Sequence, residues 1–524
     1  MRRTSSRLGL SGAVVIGAAV AVSAQGRGGA AWTTVGGDAQ RTSSVRADAK
    51  ISLASMQAPG FQFLWKRKLD TQPLTQPLLL PNIIAYKGFK ALAFVGSASG
   101  KVYSIDYELN RMFWEQKLAT ESKVPGTAAC PGGLTAITRV TEVAPPVSGG
   151  RGARGAGGGG FGGVGGRGPQ IPGGRDAIAN LFAISSGGMI HVMNPQVGTD
   201  QMPPVRFLNP NAKVVGSVLV DNFLYAATTG NCGNNANGLH AVDLASEPGA
   251  VVSSNAKETV KTVVSWDAKG ASIVGDSAPT FGTDGTIYLA TGNGSSPVAN
   301  AVVSLESKTL NQKDWFSAAT PFVSHPIVFQ YKTKDFVVAA NSDGRLYVLD
   351  SSSMGGADHK MPAYKGTAFT AGTPESVGLA TWQDPGGTRW IFATSAGPAR
   401  ADAKFAMNNG AVSKGAVVAF TVVDENGTPS LSPQWVSRDL VSPVTPAVVN
   451  GVVFALASGE AKGRGRSTNA VLYALDAATG KELWSSGTTI TSFVRGVGPS
   501  AGDSQVYVAA ADGTLYAFGM PAER

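Results

Sequence analysis

Short apolar runs, each closed by Asp, Asn, Gly or Ser, recur along the whole chain. The clearest is Val471-Leu-Tyr-Ala-Leu-Asp476, followed by Ala-Ala-Thr-Gly480-Lys-Glu-Leu-Trp484. Lys101-Val-Tyr-Ser-Ile-Asp106 repeats it, and Trp114 stands at the same step from its Asp. Arg345-Leu-Tyr-Val-Leu-Asp350 matches the first half, while Met189 to Asn194 and Gly238 to Asp243 carry His191 and His240 in the Tyr place. Looser copies are Ala301 to Glu306 before Trp315, Val417 to Thr421 before Trp435, and Thr514 to Gly519. The repeat anchors therefore fall at 106, 194, 243, 306, 350, 421, 476 and 519. Most are preceded by another apolar run, such as Leu92-Ala-Phe-Val, Thr286-Ile-Tyr-Leu-Ala or Val452-Val-Phe-Ala-Leu.

Short β-rich runs between turn residues read as strands in meanders. The shortest anchor spacings match a propeller blade, about 40–50 residues. The pattern predicts an all-β chain, an eight-bladed β-propeller of four-stranded blades. Phe63-Leu-Trp65-Lys-Arg-Lys-Leu69 resembles Met112-Phe-Trp114-Glu-Gln-Lys-Leu118 but has no Tyr-x-x-Asp run before it. It is expected to be the fourth strand of the last blade, closing the ring and covering an exposed edge. The repeated Asp is expected to bond turn amides, and the Trp to pack between blades.

Composition and charge refine this picture. Arg2, Arg3 and Arg7 precede an uncharged run from Leu8 to Val22, and Val22-Ser23-Ala24 offers small residues for cleavage before Gln25. Residues 1–24 thus read as an export signal, 25–60 as an N-terminal segment and 61–520 as the propeller. No second apolar run is long enough to span a bilayer, so the cleaved chain has no expected transmembrane segment and a periplasmic or secreted location. In that oxidising setting Cys130 and Cys232 either form one disulfide or stay two buried thiols. Gly149 to Arg175 holds 15 Gly and four Arg and cannot form a packed element. The net charge of +9 falls to about +2 without the signal and this tract, which argues against a nucleic-acid partner.

The repeat ending at Trp484, together with Trp32-Thr-Thr-Val-Gly-Gly-Asp38-Ala-Gln-Arg41, resembles the pyrroloquinoline-quinone-type (PQQ-like) propeller family. That family includes periplasmic quinoprotein dehydrogenases and non-enzymatic scaffolds of outer-membrane protein assembly. Thr291-Gly292-Asn293 resembles the dehydrogenases' calcium-binding stretch beside the quinone, so the resemblance makes Asn293 the candidate for PQQ and calcium. Where those enzymes carry a catalytic Asp after the next Trp, no Asp occurs from 315 to 334. Their adjacent cysteines and a Cys-x-x-Cys-His haem motif are missing as well.

Other chemistry is sparse. His191, His240, His325 and His359 show no metal-ligand spacing. Gly498-Pro-Ser500-Ala-Gly502 precedes a strand rather than a helix, so it reads as a blade turn and not a nucleophile elbow. No catalytic residue or metal site is expected. The expected function is binding or scaffolding of a protein partner in the cell envelope, with the Gly-rich tract and the basic loop Ala461 to Arg466 as contact elements. The alternative is a divergent PQQ-dependent alcohol or sugar dehydrogenase.

Overall fold

The computed structural model describes residues 32–45, 47–57, 60–85, 88–118, 130, 136–143, 179–246, 259–461 and 467–521. The expected export signal, the Gly-rich tract at 149–175 and residues 462–466 of the basic loop lie outside them. The described strands form eight sheets, one per blade. Blade 1 holds Leu78–Ala85, Gly88–Gly96, Lys101–Asp106 and Arg111–Lys117. Blade 2 holds Ala136–Arg139, Leu181–Ile184, Met189–Met193 and Val205–Arg206. Blade 3 spans Val214–Val220 to Val263–Asp267, blade 4 Thr280–Phe281 to Gln312–Ser317, and blade 5 Ile327–Tyr331 to Tyr364–Lys365. Blade 6 spans Leu379–Gln383 to Thr428–Val436 and blade 7 Pro443–Val449 to Glu482–Ser485. Blade 8 takes Ser500–Gly502, Gln505–Ala509 and Thr514–Gly519 from the end of the chain and Gln62–Lys68 from its beginning. The pairing of Gln62–Lys68 antiparallel to Thr514–Gly519 is the ring closure expected from the orphan Trp65 run.

All eight anchors lie in, or directly after, the third strand of a blade. These strands are buried on both faces, which explains why their apolar runs are continuous rather than alternating. First strands of neighbouring blades touch one another, so they line the centre of the ring. Blades 2, 6 and 7 exceed the expected four strands. Thr259–Val260, Met407–Asn408 and Ser44–Val45 each add a short parallel strand.

The repeated side chains do the work expected of them. The Asp476 carboxylate accepts from the amides of Ala478 (2.7 Å) and Thr479 (3.2 Å), and Asp350 accepts from Ser352 (2.9 Å). Three outer-strand Trp residues reach the turn after the anchor of the next blade. Trp114 donates its indole N–H to the Pro195 carbonyl (2.8 Å), Trp435 to Ala477 (2.9 Å), and Trp65 to Tyr107 (3.1 Å) across the closure between blades 8 and 1. Trp266, which no repeat match reveals, also bridges to the next blade, donating to the side chain of Gln312 at the start of the outer strand of blade 4 (3.3 Å). Blades 2 and 5 carry no Trp in their outer strands.

The turn must lie flat on the indole, and this fixes one glycine. A Cβ on Gly480 would stand 2.4 Å from a ring carbon of Trp435, and Gly480 has φ +71°. Gly480→Ala is expected to cost about 1–3 kcal/mol, from overpacking and a left-handed backbone. Gly487→Ala (φ +54°, with open space around its Cβ) should cost less, and urea unfolding of both variants checks the difference.

Candidate functional site

The natural cavity of a propeller is its central channel, and here the chain's own N-terminal segment runs through it. Backbone amides of successive inner strands donate to successive carbonyls of that segment. Leu79 of blade 1 bonds Trp32 (2.9 Å), Arg139 of blade 2 bonds Thr33 (2.8 Å), and Phe281 of blade 4 bonds Ala39 (2.8 Å). Val328 of blade 5 then bonds Gln40 (3.1 Å), Thr381 of blade 6 bonds Thr42 (2.9 Å), and Val448 of blade 7 bonds Ser43 (2.9 Å). Thr34 Oγ1 donates to the Ser217 carbonyl of blade 3 (2.7 Å). Gln76 completes the circuit. It accepts from Trp32 Nε1 and the Gly36 amide (both 3.0 Å) and donates to the Gly498 carbonyl of blade 8 (2.9 Å).

The local sequence explains the register. Gln76-Pro77, Ala278-Pro279 and His325-Pro326 open three inner strands, and Thr445-Pro446 sits at the register shift inside a fourth, Pro443–Val449. Pro is tolerated at the start of a strand because its missing N–H lies outside the ladder. In all four the donating amide comes two residues after the Pro. The segment therefore crosses the channel at one level, as a plug. Its polar residues Thr34, Gln40, Arg41, Thr42 and Ser43 are buried, although they read as solvent-facing in sequence.

Arg41 is the centre of the plug. Its guanidinium donates to the Pro279 carbonyl (2.8 Å), to Thr34 Oγ1 (2.9 Å), and to the Val35 carbonyl. Burial pulls its pKa down to about 9, against the favourable charges of Asp38 and Asp276, so it remains protonated at neutral pH. Asp276 in turn lies 3.1 Å from His325 Nδ1 and accepts from Ser277 Oγ (3.1 Å). Burial pushes the Asp276 carboxyl up, but the bonds from His325 and Ser277 outweigh it and leave it below its ordinary value. His325 is only 1% exposed, so the imidazole ties the inner strands of blades 4 and 5 together and offers no reactive face to solvent. Sequence spacing missed this cluster, because Arg41, Asp276 and His325 meet only when the N-terminal segment enters the channel beside blades 4 and 5.

The remaining histidines are also spoken for. His191 Nδ1 lies 2.9 Å from Asp200, His240 bonds Thr228 and Ser265, and His359 stacks on Trp315 with ring centroids 3.5 Å apart. Cys130 and Cys232 are joined as a disulfide with Cα atoms 5.4 Å apart, tying the connection between blades 1 and 2 to blade 3. Two clefts between blades 5 and 6, one beside Tyr331 and Lys334 and one beside Tyr364 and Phe420, lie away from the plug.

Asn293 sits exposed on the loop between the second and third strands of blade 4. Its carbonyl accepts from the Ser272 amide (3.2 Å), and Gly292 and Gly294 pack closely on residues 271–274. Calcium takes about six to eight oxygen ligands, usually with several carboxylates among them. Among the described residues no three His, Cys, Asp or Glu side chains gather into such a group. With the plug across the channel and an amide alone at the rim, these residues do not fit a calcium-bound quinone.

Comparison with known proteins agrees with the architecture. Residues 380–520, the last three blades, match the family described as "Outer membrane protein assembly factor BamB". No curated protein matches the sequence. Among solved structures, a europium-containing methanol dehydrogenase superposes with a TM-score of 0.57 at 11% identity, covering 94% of this chain and 98% of the other. A quinohemoprotein alcohol dehydrogenase from Comamonas testosteroni gives 0.53 at 12% identity, covering 94% and 81%. At such identities the likeness is one of fold and not of chemistry. The last three blades thus match that family, and the described strands as a whole form an eight-bladed β-propeller around the plug.

Proposed function

We propose that the protein is a binding or scaffold propeller of the cell envelope, exported by cleavage after Ala24 and engaging a protein partner through its loops. The observation that carries this reading is the plug. The channel that would receive a small ligand is filled by residues 32–45, whose carbonyls take amides from six inner strands. The match of the last three blades to an assembly-factor family supports the same reading. The competing reading, a PQQ-dependent oxidoreductase, asks Asn293 to hold calcium where, among the described residues, no carboxylate group gathers, and asks the channel to admit a quinone.

The test is direct. Purified protein titrated with PQQ and calcium is expected to give no saturable change in quinone fluorescence and no dye reduction with alcohols or sugars. Saturable binding with turnover overturns the proposal.

A further inference from the structure

Between blades 4 and 5, two carboxylates and a phenol converge on one point. A Cβ on Gly282 would stand 2.9 Å from Asp284 Oδ1, 3.0 Å from Asp335 Oδ2 and 3.2 Å from the Tyr288 ring. Asp284 belongs to the hairpin between the first two strands of blade 4 and Tyr288 to the second of those strands. Asp335 lies in the second strand of blade 5. Asp335 is only 7% exposed and takes its bonds from the Thr283 amide (2.6 Å) and hydroxyl (3.0 Å). Among the described residues no Lys, Arg or His pairs with it. Lys334 bonds Asp350 instead (3.4 Å), and Lys313 stands 3.9 Å from Asp284 while donating to Thr286 Oγ1 (2.6 Å). Burial and the Asp284 charge push the Asp335 carboxyl up, against the bonds from Thr283. A buried carboxylate that faces another one without a cation is costly.

Tyr288 supplies an independent sign of a missing ligand. It is fully buried, and its hydroxyl has no hydrogen-bond partner, although a buried phenol usually finds one. The ring points the hydroxyl into the field of both carboxylates: burial and the charges of Asp284 and Asp335 push its pKa up. The hydroxyls of Ser351 and Thr286 face it as well, yet neither is placed to bond it. The groups that gather here are all oxygens, two of them carboxylates, which is the set that hard cations select. The Asp284 side chain is 62% exposed and opens the site to solvent, and Lys313, half exposed, can swing aside when an ion enters.

We propose that Asp284 and Asp335 form a calcium site that staples blade 4 to blade 5, with the hydroxyls of Tyr288 and Ser351 and water completing the shell. It shares no residue with the Thr291-Gly292-Asn293 loop, which lies at the other end of blade 4. The probe is calcium alone, so the outcome is separate from the quinone test above. The EDTA-treated full chain is titrated with calcium chloride by calorimetry and melted with and without the ion. Saturable heat with a Kd of about 0.1–1 mM is expected, the range of weak extracellular sites. An excess of calcium, about tenfold over that Kd, should raise the Tm by about 1–3 °C. Magnesium should do less, because it demands tighter octahedral geometry. D284N and D335N should each weaken binding about tenfold or more, since each removes a ligand charge, and Tyr288→Phe should weaken it less. Asp335→Asn removes a buried charge beside a like one, so without calcium it should melt no earlier than wild type; the exposed Asp284→Asn serves if it does. Asn293→Ala should respond like wild type. Absence of saturable heat and of any Tm rise overturns the proposal, as does wild-type binding by both D284N and D335N.

Discussion

Arg41→Ala is expected to destabilise the protein by about 3–5 kcal/mol, the cost of removing one partner from a buried charged network. The side chain is fully buried, and its donors satisfy the carbonyls of Val35 and Pro279 together with Thr34 Oγ1. Alanine leaves those acceptors without donors in the middle of the ring, and it removes the cation that faces Asp38 and Asp276. A truncated apolar side chain loses packing alone, but an orphaned polar group also keeps its full desolvation cost. Arg41→Lys should recover only part of the loss, because a single ammonium cannot reproduce the fork that reaches Thr34 and Pro279 together. Equilibrium unfolding in urea measures both variants. A loss below about 1 kcal/mol for the alanine variant would show that the plug is not held at its centre.

Deleting residues 60–72 should have a larger effect, the loss of the cooperative fold. Those residues include Gln62–Lys68, the outer strand of blade 8, which pairs along the whole of Thr514–Gly519. Without it the last blade keeps three strands and the Thr514–Gly519 edge is left unpaired. Trp65 disappears as well, and with it the indole bond to Tyr107 that joins blade 8 to blade 1. Phe61 goes too, and it packs against Phe454 and Trp484 of blade 7 with centroid distances of 5.4 and 4.9 Å. The expected result is a broad, weakly cooperative thermal transition and concentration-dependent association. A sharp melt at the wild-type temperature would contradict closure by this strand.

The blades were legible in sequence because their third strands are buried on both faces and end on an Asp that must cap a turn. Those demands act on the chain locally, so they leave a local pattern at Asp106, Asp350 and Asp476 alike. Trp266 escaped because Asp243 and its outer strand are separated by a longer excursion than in the other blades. The plug escaped for a different reason. Thr34, Gln40, Arg41 and Ser43 look like surface residues, and nothing in their spacing says that the carbonyls of residues 32–43 will meet six inner strands. A faint signal was present in the recurring x-Pro pairs at 77, 279, 326 and 446, which fall in or just before four inner strands, two residues ahead of the donating amide. Asn293 shows the opposite case. Thr291-Gly292-Asn293 is a good match by residue type, yet Thr291 is committed to the turn, bonding Val298 and Ala301, and the Asn side chain stands exposed at the rim.

The central claim, a channel closed by the chain's own N-terminal segment, is tested most directly by native-state hydrogen exchange of residues 32–45. The amides of Thr33, Gly37, Asp38, Arg41 and Ser43 are bonded within the segment, and Leu79, Phe281, Val328, Thr381 and Val448 donate to it. If the plug is part of the ring, both sets exchange only by the global opening that frees the blade cores, with protection equal to that of Val471–Asp476. Exchange of residues 32–45 at the rate of a free peptide, with the blades still protected, would contradict the account and reopen the channel to a ligand.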